Sequence, residues 1–173
     1  MKHLTISLAL LFGLAAPSFA QSPETAEGTF LNGKGERIGT ATLEQTPNGV
    51  LIAVDIEGLP AGEHGFHIHE TGRCEPSTGF ESAGGHYAPR GHQHGFQDAE
   101  GPHAGDMPNQ FVQDDGVLRA EVVNRNVTLR SDTGTLFDED GSALVVHAKS
   151  DDYTSQPSGK AGDRLACAVI EQS

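Results

Sequence analysis

The sequence contains no tryptophan, only two cysteines and two methionines, and few basic residues. It has 11 Lys and Arg residues but 24 Asp and Glu residues, which gives a formal net charge of −13. Such an excess of negative charge disfavours binding to nucleic acid or to an anionic membrane surface. We therefore expect neither nucleic acid nor a membrane as a partner.

Long hydrophobic runs are also scarce, and the one that stands out lies at the start of the chain. Residues 1–20, MKHLTISLALLFGLAAPSFA, combine Lys2 with an apolar stretch and with Ser18-Phe19-Ala20, which resembles a signal-peptidase site. The run is too short to span a membrane. We predict a secretory signal peptide over 1–20, rather than an ordinary N-terminal helix, and a mature domain over 21–173. Loss of Lys2 would change the net charge from −13 to −14.

The two cysteines, Cys74 and Cys167, both lie in the part that we expect to be exported. Disulfides form and persist in such compartments. One intramolecular pairing is available, and two free thiols are the alternative. Closing so long a loop would stabilise the fold by about 4–5 kcal/mol through the lost entropy of the unfolded chain.

Short runs of alternating apolar and polar residues recur along the chain, and no stretch keeps a helical period. In VLIAVDIEGL (50–59) the apolar residues at even positions share one face, and ERIGTATLEQ, VLRAEVV and ALVVHAK alternate similarly. LACAVI is continuously apolar, as in a buried strand. Turn signals separate such runs at Asn32-Gly33, Pro47-Asn48-Gly49, Asp115-Gly116 and Asp140-Gly141. The pattern predicts one all-β domain, either a sandwich or a barrel.

Two segments break the alternation and predict long loops. Residues 70–110 are rich in glycine, proline and histidine, and a segment of about forty residues without strands is usually functional or disordered. Because it contains Cys74 and several histidines, we expect a disulfide and a metal to order it. A second, shorter polar loop is predicted over 149–163.

The histidines are the main candidates for chemistry. His67 and His69 alternate with Phe66 and Ile68 in GFHIHE, so they project from one face of a strand and can reach one metal ion. This pair alone is weak, because exposed histidines are the ordinary alternative. His64 is in phase with Phe66, and we interpret it as a buried, hydrogen-bonded structural residue.

The long loop adds a second set of candidate ligands. Three imidazoles and one carboxylate make a plausible four-coordinate zinc set, and the loop supplies them as His86, His94, His103 and Asp106. His92 competes with His94 for the middle position. His147 ends another strand-like run.

Taken together, GFHIHE, AGGHYAP, HAGDMPN, LVVHAKSDD and GDRLACAVI resemble the copper,zinc superoxide dismutases of the exported bacterial type. The resemblance extends over about 28–170. It implies a Greek-key β-barrel, or flattened sandwich, with two long functional loops. It also implies one copper and one zinc per chain, and disproportionation of superoxide to dioxygen and hydrogen peroxide. A periplasmic location is then favoured, and the protein is expected as a monomer or a homodimer, since exported bacterial members occur as both.

The resemblance also implies roles for individual residues. Copper ligands fall on His67, His69, His86 and His147. Zinc ligands fall on His86, His94, His103 and Asp106. His86 would bridge both metals and, with the active-site Arg164, act in catalysis. Asp151 would accept hydrogen bonds from His67 and His94, and the family disulfide falls on Cys74 and Cys167. The family spacing favours His94 over His92, and Lys149 and Lys160 are further candidates for positive charge at the rim.

Two other functions compete with the enzyme. A protein of this fold could store or deliver metal without turnover, but such a protein is expected to lack a copper ligand or the arginine. Alternatively, zinc and the disulfide could only hold the long loop, which leaves His67, His69 and His147 unexplained. The complete set of ligand positions, with Arg164 and Asp151, favours the enzyme.

Overall fold

The structure is a computed structural model, and it describes residues 24–173. The predicted signal peptide over 1–20 lies outside the described residues. In the described part, no helix is long and apolar enough to cross a membrane. Two short 3₁₀ turns, at Pro76–Thr78 and Glu81–Ala83, accompany a set of strands. The strands are β1 (Thr25–Asn32), β2 (Arg37–Thr46), β3 (Gly49–Ile56), β4 (Gly62–His64), β5 (Phe66–His69), β6 (Gln110–Val112), β7 (Leu118–Asn124), β8 (Ala143–His147), β9 (Arg164–Val169) and β10 (Glu171–Gln172).

The strands form a curled antiparallel sheet. Its order is β5-β8-β9-β1-β2-β3-β7, and β10 also pairs with β1. A small second sheet joins β4 to β6. β5 pairs with β8, and β9 pairs with β1, so strands that are distant in sequence lie side by side in the sheet. Long connections of this kind are typical of Greek-key arrangements. The prediction of an all-β domain with long loops over 70–110 and 149–163 is confirmed.

Most predicted strands correspond to observed ones, namely β2, β3, β5, β7, β8 and β9. Sequence reasoning missed β1, β4, β6 and β10, because β4, β6 and β10 are only two or three residues long and β1 alternates weakly. Asn32-Gly33 and Pro47-Asn48-Gly49 lie at the turns that join β1 to β2 and β2 to β3. Asp115-Gly116 lies in a tight turn between β6 and β7, which belong to different sheets. Asp140-Gly141 joins no hairpin among the described strands, because β8 pairs with β5 and β9 rather than with β7.

The inner face of the sheet carries the main core. Phe30, Phe66, Ile68 and Leu144 are buried there, together with the even-numbered residues of β3. Each large apolar side chain buried in this way stabilises the fold by about 1.5–3 kcal/mol. Strand alternation then directs the intervening side chains of β5 and β8 to the opposite face.

That opposite face is also covered, since all five residues of β8 are buried. His67 pairs with Val145, and Val145 pairs with Cys167, so these three side chains share the face. Phe80 packs in the apolar cluster around Val145 and Cys167. The predicted disulfide is present: Cys74 and Cys167 are bonded, with Cα atoms 5.6 Å apart and a sequence separation of 93. It fastens the long loop over this side of the sheet.

Candidate metal centre

Two adjoining groups of potential metal ligands lie between the β5–β8 pair and the loop that covers it. Within each group the ligating atoms all lie within 4.8 Å of one another. We call them the open group (His67, His69, His86, His147) and the closed group (His86, His94, His103, Asp106). The structure thus brings together all the predicted ligands, and His86 belongs to both groups.

The loop reaches the groups because it runs back along β5. His69 forms an antiparallel bridge with His86, and His67 forms one with Asp106. Gly105 permits this approach, because a Cβ on it would lie 2.2 Å from the carbonyl oxygen of Ile68. Ligands that are distant in sequence therefore meet over one short strand.

Hydrogen bonds on the far ring nitrogens determine which nitrogen faces the open group. His69 Nδ1 donates to the carbonyl of Gly84 at 3.0 Å, and His147 Nδ1 donates to that of Gly162 at 3.2 Å. The Nε2 atoms of His69 and His147 are left facing each other, 3.2 Å apart. Such outer contacts set the tautomer and orientation of a ligating histidine.

Asp151 does the same for both groups at once. Its Oδ2 accepts a hydrogen bond from His67 Nε2 at 2.9 Å, and its Oδ1 accepts one from His94 Nε2 at 3.0 Å. The main chain of Asp151 is held by the Asn109 side chain through reciprocal bonds of 2.8 and 2.9 Å. Sequence reasoning missed Asn109, although it lies in the HAGDMPN motif, because nothing local signals its partner.

The closed group is centred on the carboxylate of Asp106. Oδ1 lies 2.8 Å from His86 Nδ1, 3.0 Å from His94 Nδ1 and 3.4 Å from His103 Nδ1. Oδ2 accepts the backbone N–H groups of Gly95 and His103 at 2.9 and 3.0 Å. Three Nδ1 atoms and a carboxylate therefore converge on one point.

The residues fit two metal ions. Within 24–173, the buried atoms His67 Nδ1 and His86 Nε2 have no hydrogen-bond partner. Unpartnered buried nitrogens are costly, and a cation in the open group would satisfy both. Four nitrogens suit copper or zinc, whereas three nitrogens with one carboxylate are a zinc set.

Burial makes the open group neutral at pH 7. It lowers the pKa of His69 well below the usual range, that of His86 to about 4 and that of His147 to about 3. The pKa of His67 is also lowered, mainly by burial. Imidazoles bind a single metal ion in the neutral form, so His67, His69 and His147 need lose no proton, whereas His86 must give up its N–H if both of its ring nitrogens bind metal.

In the closed group, by contrast, one histidine is protonated at pH 7. Burial lowers the pKa of His94, but hydrogen bonds from His94 to Asp106 and Asp151 outweigh it and raise that pKa to about 9. Burial raises the pKa of Asp106, but hydrogen bonds from His103, His86 and His94 outweigh it and hold that pKa below the usual range. At Asp151, hydrogen bonds from His67 and His94 outweigh burial in the same way. Without metal, this group therefore keeps a proton on His94 at pH 7.

A cavity of about 480 Å³ reaches the open group. Its lining includes His69, His86, His147 and Arg164. Of the closed group, only His86 is part of this wall among the described residues. Catalytic metal sites keep an accessible position, whereas structural sites are enclosed. The open group therefore has the access of a catalytic site, and the closed group has the enclosure of a structural site.

Arg164 supplies the positive charge at the cavity. Its guanidinium donates to the carbonyl of Phe80 at 2.5 Å and to that of Gly84 at 2.6 Å. Burial lowers its pKa, but an arginine remains charged at neutral pH. Neither Lys149 nor Lys160 is among the lining residues in the described chain, so a role for either at the rim stays a prediction. The wall instead includes the acidic residues Glu81 and Asp163, and Lys160 Nζ lies 3.7 Å from the carboxylate of Asp152.

The remaining histidines lie outside both groups. His64 is buried, with its ring nitrogens 2.7 Å from the carbonyl oxygen of His147 and 2.8 Å from that of Pro60. The prediction that it is a buried, hydrogen-bonded residue is confirmed. His92 is exposed, and its Nδ1 lies 3.2 Å from the carbonyl oxygen of Pro102.

Comparisons with known proteins agree with this geometry. The family model described as copper/zinc superoxide dismutase (SODC) matches residues 37–170. Superoxide dismutase (Cu-Zn) 2 of Aquifex aeolicus is 48% identical over 172 residues, covering 98% of this chain and 99% of the relative. The Cu-Zn superoxide dismutase of Escherichia coli is 35% identical over 177 residues, with coverages of 95% and 98%. A solved SOD-like protein from Bacillus subtilis has a TM-score of 0.78 and 36% identity, covering 82% of this chain and 95% of its own.

Proposed function

The chain belongs to the copper/zinc superoxide dismutase family, and from that premise we propose how its residues disproportionate superoxide to dioxygen and hydrogen peroxide. The activity is that of an oxidoreductase that uses copper and zinc. The fold is the Greek-key β-barrel of the family. The following roles are proposed for the individual residues of the two groups.

We assign copper to the open group and zinc to the closed group. One observation carries the assignment. His69, His86 and His147 of the open group line the cavity, whereas the closed group reaches it only through the shared residue His86. Copper then has four nitrogen ligands and access for a small molecule. Zinc has three nitrogens, one carboxylate and an enclosed position.

When bound, copper supplies the one-electron oxidation and reduction that the reaction requires, and zinc supplies fixed charge beside the shared imidazole. The protein must bring an anion to this place although its net charge is −13. Arg164 provides local positive charge in the cavity wall beside His69 and His147. Local fields of this kind raise the concentration of an anionic substrate, an effect well known for superoxide dismutases.

His86 is the group that handles protons. Peroxide formation consumes two protons, and His86 Nε2 is a buried nitrogen on the cavity side with no hydrogen-bond partner among residues 24–173. A proton can be held at this atom while His86 Nδ1 stays 2.8 Å from Asp106. Asp151 keeps His67 and His94 in orientation during this exchange, since it contacts both rings.

The activity is tested on purified protein loaded with both metals. We expect about one copper and one zinc per chain, and cyanide-sensitive removal of superoxide. Bound copper without turnover would instead support a metal-storage protein. Zinc alone, with no activity after copper loading, would support a structural site.

The role of Arg164 is tested by Arg164→Ile. We expect kcat/KM to fall more at low than at high ionic strength, because salt screens the lost attraction. Arg125→Ile is the matched control, since Arg125 is an exposed residue after β7 and its loss changes the net charge equally. Equal effects of both variants at every salt concentration would contradict the proposal.

We also propose that the chain is exported and that the periplasm is its place of action. The N-terminal pattern of 1–20, the Cys74–Cys167 disulfide and the bacterial relatives support this. N-terminal sequencing of protein from a periplasmic extract should begin at Gln21. Cytoplasmic protein that retains residues 1–20 would contradict export.

A further inference from the structure

One peptide group, between Gly84 and Gly85, touches the metal centre with one edge and a carboxylate with the other. On its carbonyl edge, Gly84 O accepts hydrogen bonds from His69 Nδ1 at 3.0 Å and from Arg164 Nη2 at 2.6 Å. On its amide edge, the Gly85 N–H donates to Glu70 Oε1 at 2.8 Å. Because a trans peptide is planar and its C=O and N–H point in opposite directions, the group that holds the amide also directs the carbonyl.

This peptide has little intrinsic restraint. Gly84 has φ +74°, and glycine adopts many backbone conformations at little cost. A rotation of the peptide would turn its carbonyl away from both His69 and Arg164 at once. The orientation must therefore come from a contact outside the two glycines.

Glu70 makes that contact from two sides. Besides accepting the amide proton, it donates its own backbone N–H to the carbonyl of Gly85 at 3.0 Å. Its side chain also packs closely on Gly84, where a Cβ would lie 2.8 Å from Glu70 Cγ and Oε1. The residue that holds this peptide therefore comes directly after His69, the last residue of β5.

The charge of Glu70 acts in the same direction. A carboxylate that accepts from an N–H forms a strong hydrogen bond, and it polarises the peptide so that its carbonyl becomes a better acceptor. We propose that Glu70 is a positioning residue for the dismutase reaction. Through the Gly84–Gly85 peptide it holds the ring of His69 and the guanidinium of Arg164 in their working orientation.

Two variants separate the hydrogen bond from the charge. Glu70→Ala removes the acceptor, whereas Glu70→Gln keeps an acceptor and removes the charge. Glu121→Gln is the control, because Glu121 is an exposed residue of β7, at the far end of the sheet, and changes the net charge equally. Glu70 is itself exposed, so we expect all three variants to fold.

Three readouts are compared. The first is hydrogen exchange of the Gly85 amide in diamagnetic, zinc-loaded protein, which should speed up roughly tenfold in Glu70→Ala. The second is the electron paramagnetic resonance spectrum of copper, which should change because His69 is reoriented. The third is kcat/KM, which should fall roughly five- to tenfold in Glu70→Ala and less in Glu70→Gln. Glu121→Gln should match the wild type in all three.

The activity readout rests on the proposed function and the copper spectrum rests on the proposed copper assignment, but amide exchange rests on neither. If wild-type protein with both metals fails to remove superoxide, the proposed function fails while amide exchange and the copper spectrum still test Glu70. A wild-type copper spectrum and unchanged Gly85 exchange in Glu70→Ala would overturn the positioning role. Lower thermal stability with an unchanged spectrum would overturn it as well, since it would leave only a structural role.

Discussion

Gly159 passes directly over Asp151. A Cβ on Gly159 would lie 1.7 Å from Asp151 Oδ1 and 2.8 Å from His94 Nε2, and Gly159 has φ +63°. Only glycine therefore leaves room for the 3.0 Å hydrogen bond between Asp151 and His94. The loop over 149–163 supplies both the carboxylate and the space that it needs.

Gly159→Ala should therefore weaken zinc binding. The methyl group would displace Asp151 from His94 and His67, and loss of such an orienting partner costs roughly 10–100-fold in metal affinity. Competition with a chelator measures the zinc Kd. Gly58→Ala is the matched control, because Gly58 also has positive φ (+76°) but its Cβ would meet no atom of the described chain within 4 Å. Equal zinc affinities in the two variants would contradict the role of this space.

Loss of the disulfide should act on the open group more than on the closed group. Cys74 and Cys167 fasten the loop segment whose Phe80 and Gly84 carbonyls hold Arg164. In Cys74→Ser/Cys167→Ser we expect the free energy of unfolding to fall by up to about 4–5 kcal/mol, as measured by urea titration. We also expect kcat/KM to fall while zinc content stays near that of the wild type. Zinc loss without any change in kcat/KM would contradict this division.

Zinc binding should release a proton in a pH-dependent way. In metal-free protein the pKa of His94 is raised to about 9 by its hydrogen bonds to Asp106 and Asp151, which outweigh burial. At pH 7 the ring is thus protonated, and a zinc ligand must be neutral. Calorimetry in buffers of different ionisation enthalpy should count about one proton released per zinc at pH 7, falling towards none as the pH rises through about 9.

The histidines of the open group serve as an internal control for the proton released from His94. Burial lowers the pKa values of His69 and His147, so filling the open group at pH 7 should release no proton from these two rings. Asp151→Asn should reduce the proton release at pH 7, because it removes one of the two carboxylates that raise the His94 pKa. A proton count that does not vary between pH 7 and 10 would exclude His94 as the source.

His92 and His94 should differ sharply although they are two residues apart. His94 is buried between Asp106 and Asp151, whereas His92 is exposed. His94→Ala should therefore lose zinc at micromolar protein concentrations, and His92→Ala should retain it. Elemental analysis after dialysis distinguishes the two, and zinc loss in His92→Ala would show that the wrong ring was assigned.

Part of the site could be predicted from local pattern. Phe66 and Ile68 pack in the core while His67 and His69 face the ligands, as strand alternation requires. The set of partners for this pair came from the family resemblance rather than from spacing. Neither Lys149 nor Lys160 lines the cavity among the described residues, and the sequence could not decide this, because side-chain charge in a loop does not indicate where the loop directs it.

The sequence by itself determined the alternating strands, the pairing of two histidines on one face and the N-terminal export pattern. These follow from local backbone geometry and composition, which act over a few residues. Only the tertiary structure decided which ring nitrogen faces each group, which group meets the cavity, and how Gly84 and Gly159 serve the ligands. Those features depend on contacts between β5, β8 and two loops that are far apart in the chain, and such contacts form only when the sheet curls and brings these segments together.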